Sequence, residues 1–328
     1  AIITSNRFKQ PLDPNLRPTK DQRLKTLATV TTDIDQTSPP ALRFEDRYDK
    51  RLYNKRRLIN RLGLGFAISA IAFGLFWLTW ILITLFVEGF QGLIEMPVFI
   101  ADTPPPMGEG GLRNAIIGSA MIALSGLAIG TPIGMMAGIY LAEFSQGSIL
   151  GKVTRFLNDI LLSAPSIVIG LFVYALMVKG QSFSGWAGAF ALALIVIPIV
   201  VRTTESMLNL VPNTLREAAY ALGTPKWKLI STVTLKAAKA GLTTGVLLAF
   251  ARITGETAPL LFTALNNQYF STDMSQPMAN LPNTIYQFAM SPYDNWHALA
   301  WAAALLITAT VLVVNILARF IGGKDHTR

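Results

Sequence analysis

The chain has 328 residues, of which 52% are hydrophobic and only 14% are charged, and it carries a net charge of +9 with no cysteine. Soluble domains usually contain about 25% charged residues, so this composition indicates a membrane protein. The lack of cysteine excludes disulfides and thiolate metal sites, and two histidines do not suffice for a histidine-rich metal site.

Long stretches without Asp, Glu, Lys or Arg predict membrane-spanning helices, because a helix needs about 20 apolar residues to cross the hydrocarbon. These stretches are residues 62–87, 114–142, 160–178, 180–201 and 295–318. A sixth, about 240–265, is interrupted only by Arg252 and Glu256. The sequence therefore predicts an all-α membrane protein with six transmembrane helices within residues 61–322.

The positive charge is concentrated on one side of the predicted membrane. Lys and Arg are frequent in residues 1–61, whereas the loops 88–112 and 266–297 contain none. This alternation follows the positive-inside rule and predicts that both termini are cytoplasmic. It also accounts for the basicity of the chain, so we expect no nucleic-acid partner.

Residues 1–60 are predicted to form a cytoplasmic tail, partly disordered because its first part is polar and rich in proline. Within residues 43–61, apolar side chains fall near one helical face with basic residues around them. This pattern fits an amphipathic helix on membrane lipid, and it fits simple topology-setting charge equally well.

The first apolar run is too long for a signal peptide. Residues 323–328 are expected to form a second, short cytoplasmic tail.

Glycine and proline predict how the spans pack. Gly126, Gly130, Gly134 and Gly138 repeat at every fourth position of the second span and share one face. Such spacing favours close helix packing, with a flexible hinge as the alternative.

Pro165 and Pro198 lie inside the third and fourth spans. They predict either bent helices around a central cavity or ordinary kinks.

The loop 207–239 has the features of a docking element rather than a simple connector. Leu215, Ala218, Ala219 and Leu222 fall on one helical face. Gly223 predicts the end of that helix, and Thr224-Pro225 predicts the start of another. A short amphipathic helix beneath the membrane is suited to binding in a groove of a partner protein.

The same loop resembles the EAA loop of ABC-importer permeases. Glu217-Ala218-Ala219 is followed at the family spacing by Gly223, Val233 and Leu235, while Lys236 stands where the family usually has proline. The resemblance implies a type I ABC importer permease whose loop forms a coupling helix. It assigns coupling to an ATP-binding subunit to the following residues: Leu215, Glu217, Ala218, Ala219 and Gly223.

Further stretches resemble the PstA family of phosphate-importer permeases over roughly residues 60–320: GEGG (108–111), GIYLAEF (138–144) and GETAPLLFTA (255–264). This resemblance implies a subunit in the inner (plasma) membrane that forms half of a path for inorganic phosphate. It also implies a sister permease of the PstC type, an ATP-binding subunit dimer of the PstB type, and an extracytoplasmic phosphate-binding protein of the PstS type.

The chain contains no P-loop, so we expect it to be no enzyme and to hold no cofactor, with ATP and Mg bound by the partner ATP-binding subunit. Other readings are an importer of another oxyanion, such as sulfate or molybdate, and a secondary transporter, which should show inverted repeats. A membrane enzyme is a third reading, but the spans carry no catalytic constellation.

Charged residues near the membrane interior are the candidate substrate site. Arg252 is expected about 18 Å along its span, near the middle of a core roughly 30 Å thick. Glu256 is expected one helical turn further on the same face, where it can pair with Arg252. The pair either attracts an anion or only stabilises the bundle. Arg202 and Glu205 are assigned to the same route by resemblance, with topology-setting charge as the alternative for Arg202.

Overall fold

The structure, a computed structural model, describes residues 50–145 and 147–323. The chain divides into two compact units, Ala1–Leu75 and Phe76–Arg328. The described part of the first unit is a single helical segment whose residues from 52 onward are exposed. The predicted tail up to residue 49, the start of the segment 43–61 and the terminal residues 324–328 lie outside the described chain, so those expectations stay predictions.

The described residues are mainly helical and contain no strand. The helices are α1 (Lys50–Glu95), α2 (Arg113–Glu143), α3 (Ile149–Ser163), α4 (Ser166–Val173), α5 (Gly185–Asn209), α6 (Asn213–Ala221), α7 (Lys226–Leu229), α8 (Leu235–Ala237), α9 (Lys239–Thr254), α10 (Ala258–Thr263), α11 (Leu281–Ala289) and α12 (Asp294–Gly323). Short π-helical segments follow α4 at Tyr174–Val178 and α7 at Ile230–Thr234.

The predicted all-α membrane fold is confirmed. Within the described ranges α1, α2, α5 and α12 are each long and apolar enough to cross a membrane. Two bent pairs, Ile149–Ser163 with Ser166–Val178 and Lys226–Ala237 with Lys239–Thr254, bring the number of candidate spans to six if each pair counts as one.

The third span is bent at Pro165, as the sequence predicts, and the bend is sharp enough to divide it into two helices. It starts earlier, at Ile149, and its two helices meet at an angle of 102°. Ala164 precedes Pro165 and has an extended backbone (φ −67°, ψ 132°), as expected because a proline ring disfavours the helical conformation of the residue before it. Pro165 therefore makes a sharp corner, whereas Pro198 lies inside the unbroken helix α5.

The glycines of the second span form the contact between α2 and α5, which confirms the packing interpretation. A Cβ added at Gly130 would lie 2.9 Å from the carbonyl oxygen of Ala193 and 2.9 Å from the Cβ of Val196. Gly126, Gly134 and Gly138 meet α5 equally closely. Without side chains at these positions the two backbones approach closely, as small residues allow in membrane helices. We call this contact the glycine seam.

We predict that Gly130→Ala destabilises the protein by about 1–3 kcal/mol, because the added methyl group overpacks a contact made by backbone and a Cβ atom. Gly74→Ala is the matched control, since nothing lies within 4 Å of a Cβ added there. The control should leave stability unchanged or raise it. Thermal unfolding of the detergent-purified protein measures both, and an unchanged Tm for Gly130→Ala would contradict the seam.

Candidate functional site

Arg252 lies in the last turn of α9, where the negative end of the helix dipole favours a cation. Since α9 begins at Lys239, Arg252 is about 20 Å along the helix at 1.5 Å per residue. Its side chain is 63% exposed in the isolated chain. The guanidinium is therefore accessible rather than enclosed in the bundle.

Arg252 lines a cavity of about 460 Å³ at the corner between α3 and α4. The lining is otherwise uncharged and comes from α3, α4, α5 and α9, and it includes Ala164, Ser166, Pro198 and Leu248. The cavity adjoins the sharp bend at Pro165 and the proline of α5, as expected if prolines shape a cavity. It has room for several waters and a small ion next to its single lining charge.

Glu256 pairs with Arg252, as predicted, with 3.4 Å between Arg252 Nη2 and Glu256 Oε1. The expectation that both lie on one continuous helix is wrong, because α9 ends at Thr254 and Gly255 caps it. Pro259 lies in the first turn of the next helix, α10, and contacts α4 at Gly170. The predicted sixth apolar stretch is thus two helices separated by a break at Gly255–Thr257, since proline suits a first helical turn better than a helix interior.

The two charged residues of α5 occupy different environments. Arg202 is exposed, and it makes no ion pair within residues 50–145 and 147–323. Glu205 is buried and accepts a hydrogen bond of 2.6 Å from Nε of Arg155 in α3. Arg155 also donates to the carbonyl of Leu141 and the hydroxyl of Ser145, at the end of α2. Glu205 therefore joins α3 and α5 and does not contact Arg202.

The EAA-like loop folds as the sequence predicts. Helix α6 ends at Ala221, and Gly223 has φ +73°, a conformation that favours glycine. The amide of Thr224 donates to Ala219 and the amide of Gly223 donates to Tyr220, which is the Schellman pattern of hydrogen bonds. Pro225 then caps the short helix α7.

The predicted apolar face of α6 is largely uncovered. Ala219 is buried against Leu229 and Ile230 of the following turn. Leu215, Ala218 and Leu222 are exposed, and so is Glu217. Such a set of apolar side chains is suited to packing against another protein. Of the residues that the sequence assigns to coupling, all but Gly223 lie on this short helix, and all of these except Ala219 are accessible.

Lys236 in place of the family proline does not produce a continuous helix. The chain bends by 72° between the helical segment ending at Ala237 and α9, and Ala238 at the bend has φ −89° and ψ 0°. The departure from the family pattern therefore leaves the break in place.

A third ion pair, which the sequence analysis missed, joins α6 to the end of α2. Arg216 Nη2 lies 3.0 Å from Glu143 Oε1, at the end of α2. The signals were in the sequence: Arg216 precedes Glu217 directly, and Glu143 belongs to the GIYLAEF stretch. The sequence alone assigns no partner to Arg216, because periodicity and charge counts do not show which cation meets which anion.

Comparison with known proteins agrees with this geometry. Residues 130–324 match the family described as "Binding-protein-dependent transport system inner membrane component". The "Phosphate transport system permease protein PstA" of Yersinia pestis is 57% identical over 89% of this chain and 98% of its own length. That of Pasteurella multocida is 59% identical over 81% of this chain and 95% of its own length.

The fold also resembles a chain in the crystal structure of a bacterial ABC transporter involved in the import of the acidic polysaccharide alginate. The two chains share a TM-score of 0.57 at 14% identity, over 84% of this chain and 99% of the other. At this identity the likeness concerns the fold alone.

The environments of Arg202 and Glu205 predict effects of different size on the free energy of unfolding. Glu205→Ala should destabilise the protein by about 1.5–3 kcal/mol, because Arg155 loses a charge-assisted hydrogen bond. Arg202→Ala should change stability by no more than about 0.5 kcal/mol, as is usual for an exposed side chain. Thermal unfolding of both variants in detergent tests this. Equal losses of stability would contradict the structural role of Glu205.

Proposed function

Because the chain belongs to the family of binding-protein-dependent transport system inner membrane components, and within it to the PstA permeases, we propose that it forms half of the translocation path of an ATP-driven importer of inorganic phosphate. The identity to PstA permeases over most of both chains carries this proposal. Sulfate and molybdate are the alternative substrates, because an arginine also suits these oxyanions.

We assign the anion path to the cavity beside Arg252. An unpaired charge near the membrane centre costs about 3 kcal/mol or more and must face protein or water. Arg252 meets this condition by lining a cavity while most of its side chain stays accessible. Its guanidinium can donate two parallel hydrogen bonds to an oxyanion. This geometry supports a direct, transient contact with phosphate.

Glu256 is proposed to compete with the anion for Arg252. Charge-assisted N–H···O bonds usually measure about 2.7–2.9 Å, so the separation of 3.4 Å indicates a loose pair. A loose partner neutralises the arginine while the path is empty and yields it when an anion arrives. A permanently strong site would trap phosphate and prevent its release.

Arg202 is proposed as a second cation on the route, supported by its exposure and its lack of an ion pair in the described chain. Glu205 is bound to Arg155, so we propose that it shapes the end of α5 near the route rather than contacting the anion.

Helix α6 is proposed as the coupling helix. Its exposed residues Leu215, Glu217 and Ala218 would bind a groove of the ATP-binding subunit, with the turn at Gly223 setting the direction of the chain after the helix. In this arrangement the partner dimer binds ATP and Mg and hydrolyses ATP, and this chain contributes no catalytic group. The exposed apolar side chains of α6 support the assignment.

The remaining assignments follow from the same proposal. The loop with α6 and both termini would be cytoplasmic, and the chain would lie in the inner (plasma) membrane. A sister permease of the PstC type would complete the path, and a binding protein of the PstS type would deliver phosphate from outside. The asymmetry of Lys and Arg between the loops supports this orientation.

The substrate is tested by uptake in cells that lack their own PstA-type permease and then receive this gene. Restored uptake of labelled phosphate, with unchanged uptake of sulfate and molybdate, is the expected result. Restoration of sulfate or molybdate uptake without phosphate uptake would replace the substrate assignment.

We predict that Arg252→Gln abolishes phosphate uptake while the protein stays in the membrane with its partner subunits, because the cavity loses its charge. Arg252→Lys should retain part of the activity, since lysine lacks the planar fork. Arg319→Gln is the matched control, because Arg319 is exposed and lies in α12, away from the cavity lining. Uptake by Arg202→Gln, measured alongside, reports whether Arg202 belongs to the route. Normal uptake by Arg252→Gln at normal abundance would leave only a stabilising pair.

Gly223 is predicted to tolerate asparagine better than valine. Its positive φ strains a β-branched residue most, whereas asparagine adopts this conformation more readily. Gly223→Val should therefore abolish uptake and Gly223→Asn should retain a measurable part of it, with both proteins in the membrane. Gly180→Val is the control, because Gly180 has φ +84° and lies outside the loop. Equal uptake by the valine variants at positions 223 and 180 would argue against a specific role of this turn in coupling.

A further inference from the structure

The C-terminal end of α2 binds cations that come from two segments of the EAA-like loop. Arg216 of α6 contacts the carboxylate of Glu143 at 3.0 Å. Lys226 of α7 donates to the backbone carbonyl of Glu143 at 2.7 Å, and its ammonium lies 4.0 Å from the ring centroid of Phe144. The last carbonyls of a helix lack intrahelical donors and carry the negative end of its dipole, so cations are favoured here.

The pair between Arg216 and Glu143 is well shielded from solvent. The Arg216 side chain is 16% exposed and that of Glu143 is 7% exposed. The same guanidinium nitrogen also donates to the carbonyl of Leu208 in α5, at 2.7 Å. Breaking a buried pair leaves an uncompensated charge at high cost, so this contact resists separation. The side chain of Arg216 in α6 thus binds both α2 and α5.

The glycine seam brings the backbones of α2 and α5 into contact from Gly126 to Gly138, so we expect these two helices to behave as one stiff unit. The cytoplasmic end of the seam is Gly138, packed against Thr204. Glu143 and Leu208 lie about one helical turn beyond these two residues. Arg216 therefore contacts two helices that are packed rigidly against each other.

The loop is joined to α9 differently. Between α7 and α9 the chain passes through the π-helical segment Ile230–Thr234 and then the 72° bend at Ala238. Sharp kinks in helices occur at π-helical segments, so this connection is less stiff than a continuous helix. Arg216 thus fixes the loop to α2 and α5 by buried contacts, whereas the connection of the loop to α9 is bent and can flex.

We propose that the pair of Arg216 and Glu143 is a strut that transmits displacement of the coupling helix α6 to α2 and α5. This inference rests on the proposed function and adds to it a positioning residue, Arg216, that touches neither the ATP-binding subunit nor the transported anion. The proposal also gives the GIYLAEF stretch a role, because Glu143 of this stretch forms the ion pair with Arg216.

Charge exchange tests the strut. Arg216→Glu and Glu143→Arg should each lower phosphate uptake at least tenfold, while ATP hydrolysis by the assembled complex continues. The double variant, with both substitutions, should recover uptake to within about threefold of the unmodified chain. Lys152→Glu is the matched control, because Lys152 is an exposed cation of α3 and carries the same charge reversal. Wild-type uptake by Arg216→Glu would overturn the strut.

Covalent linkage is a second test of the strut. It does not require the charge-exchanged variants to fold correctly. The chain has no cysteine, so Glu143→Cys with Arg216→Cys introduces one thiol at each end of the strut. A short bifunctional thiol reagent should restore uptake that the unlinked double variant has lost, because the two segments stay together throughout transport. Arrested uptake after linkage would mean that they must separate, and would overturn the inference.

The unmodified chain in the same assay distinguishes failure of the proposed function from failure of the strut. If it restores no phosphate uptake, the proposed function fails. If it transports normally and the strut variants do too, only the strut fails.

Discussion

The close approach of α2 and α5 is the constraint on which the rest of the structure depends. Its glycines face backbone carbonyls and Cβ atoms of α5, so no side chain fits between the helices. In hydrocarbon, where apolar side chains gain little from leaving lipid, such contact is a main source of helix association. The seam fixes the positions of Glu143 and Leu208, which hold α6, and of Pro198, which lines the cavity. The EAA-like loop and the cavity are thus both positioned by the same pair of helices.

The charges in and near the spans separate into two groups. Glu205 and Glu143 each hold an arginine at 3.0 Å or less, with the carboxylate shielded from solvent. Arg252 has a longer contact and a largely accessible side chain, and Arg202 has no ion pair in the part of the chain that the structure describes. Buried pairs of this kind resist change, because separating them leaves an unpaired charge in a poorly solvated site. The difference favours a framework role for the first group and an exchangeable role for the arginines of the second.

The sequence predicted those features that depend on local chemistry. The span positions follow from hydropathy, the end of α6 follows from Gly223, and the seam follows from glycine at every fourth position. The failures were of two kinds. Pro165 predicts a bend but not its sharpness, and Gly255 has no distinctive hydropathy, so the helix break that follows Arg252 was not predicted. The pairs Arg155–Glu205 and Arg216–Glu143 join residues distant in sequence, and only the tertiary fold brings them together.

Helix α9 lies between the two candidate sites, and its helical geometry is interrupted at both of its ends. It begins after the bend at Ala238, next to the EAA-like loop, and it ends at Gly255, immediately after Arg252. A helix transmits displacement along its axis stiffly, whereas breaks at its ends allow it to tilt without distorting its neighbours. A continuous span through residues 240–265 would instead tie Arg252 to α10, which packs on α4 through Pro259. The break at Gly255–Thr257 releases the arginine from that contact. The cation beside the cavity is therefore carried by a helix that begins next to the EAA-like loop and is separated from that loop by the bend at Ala238.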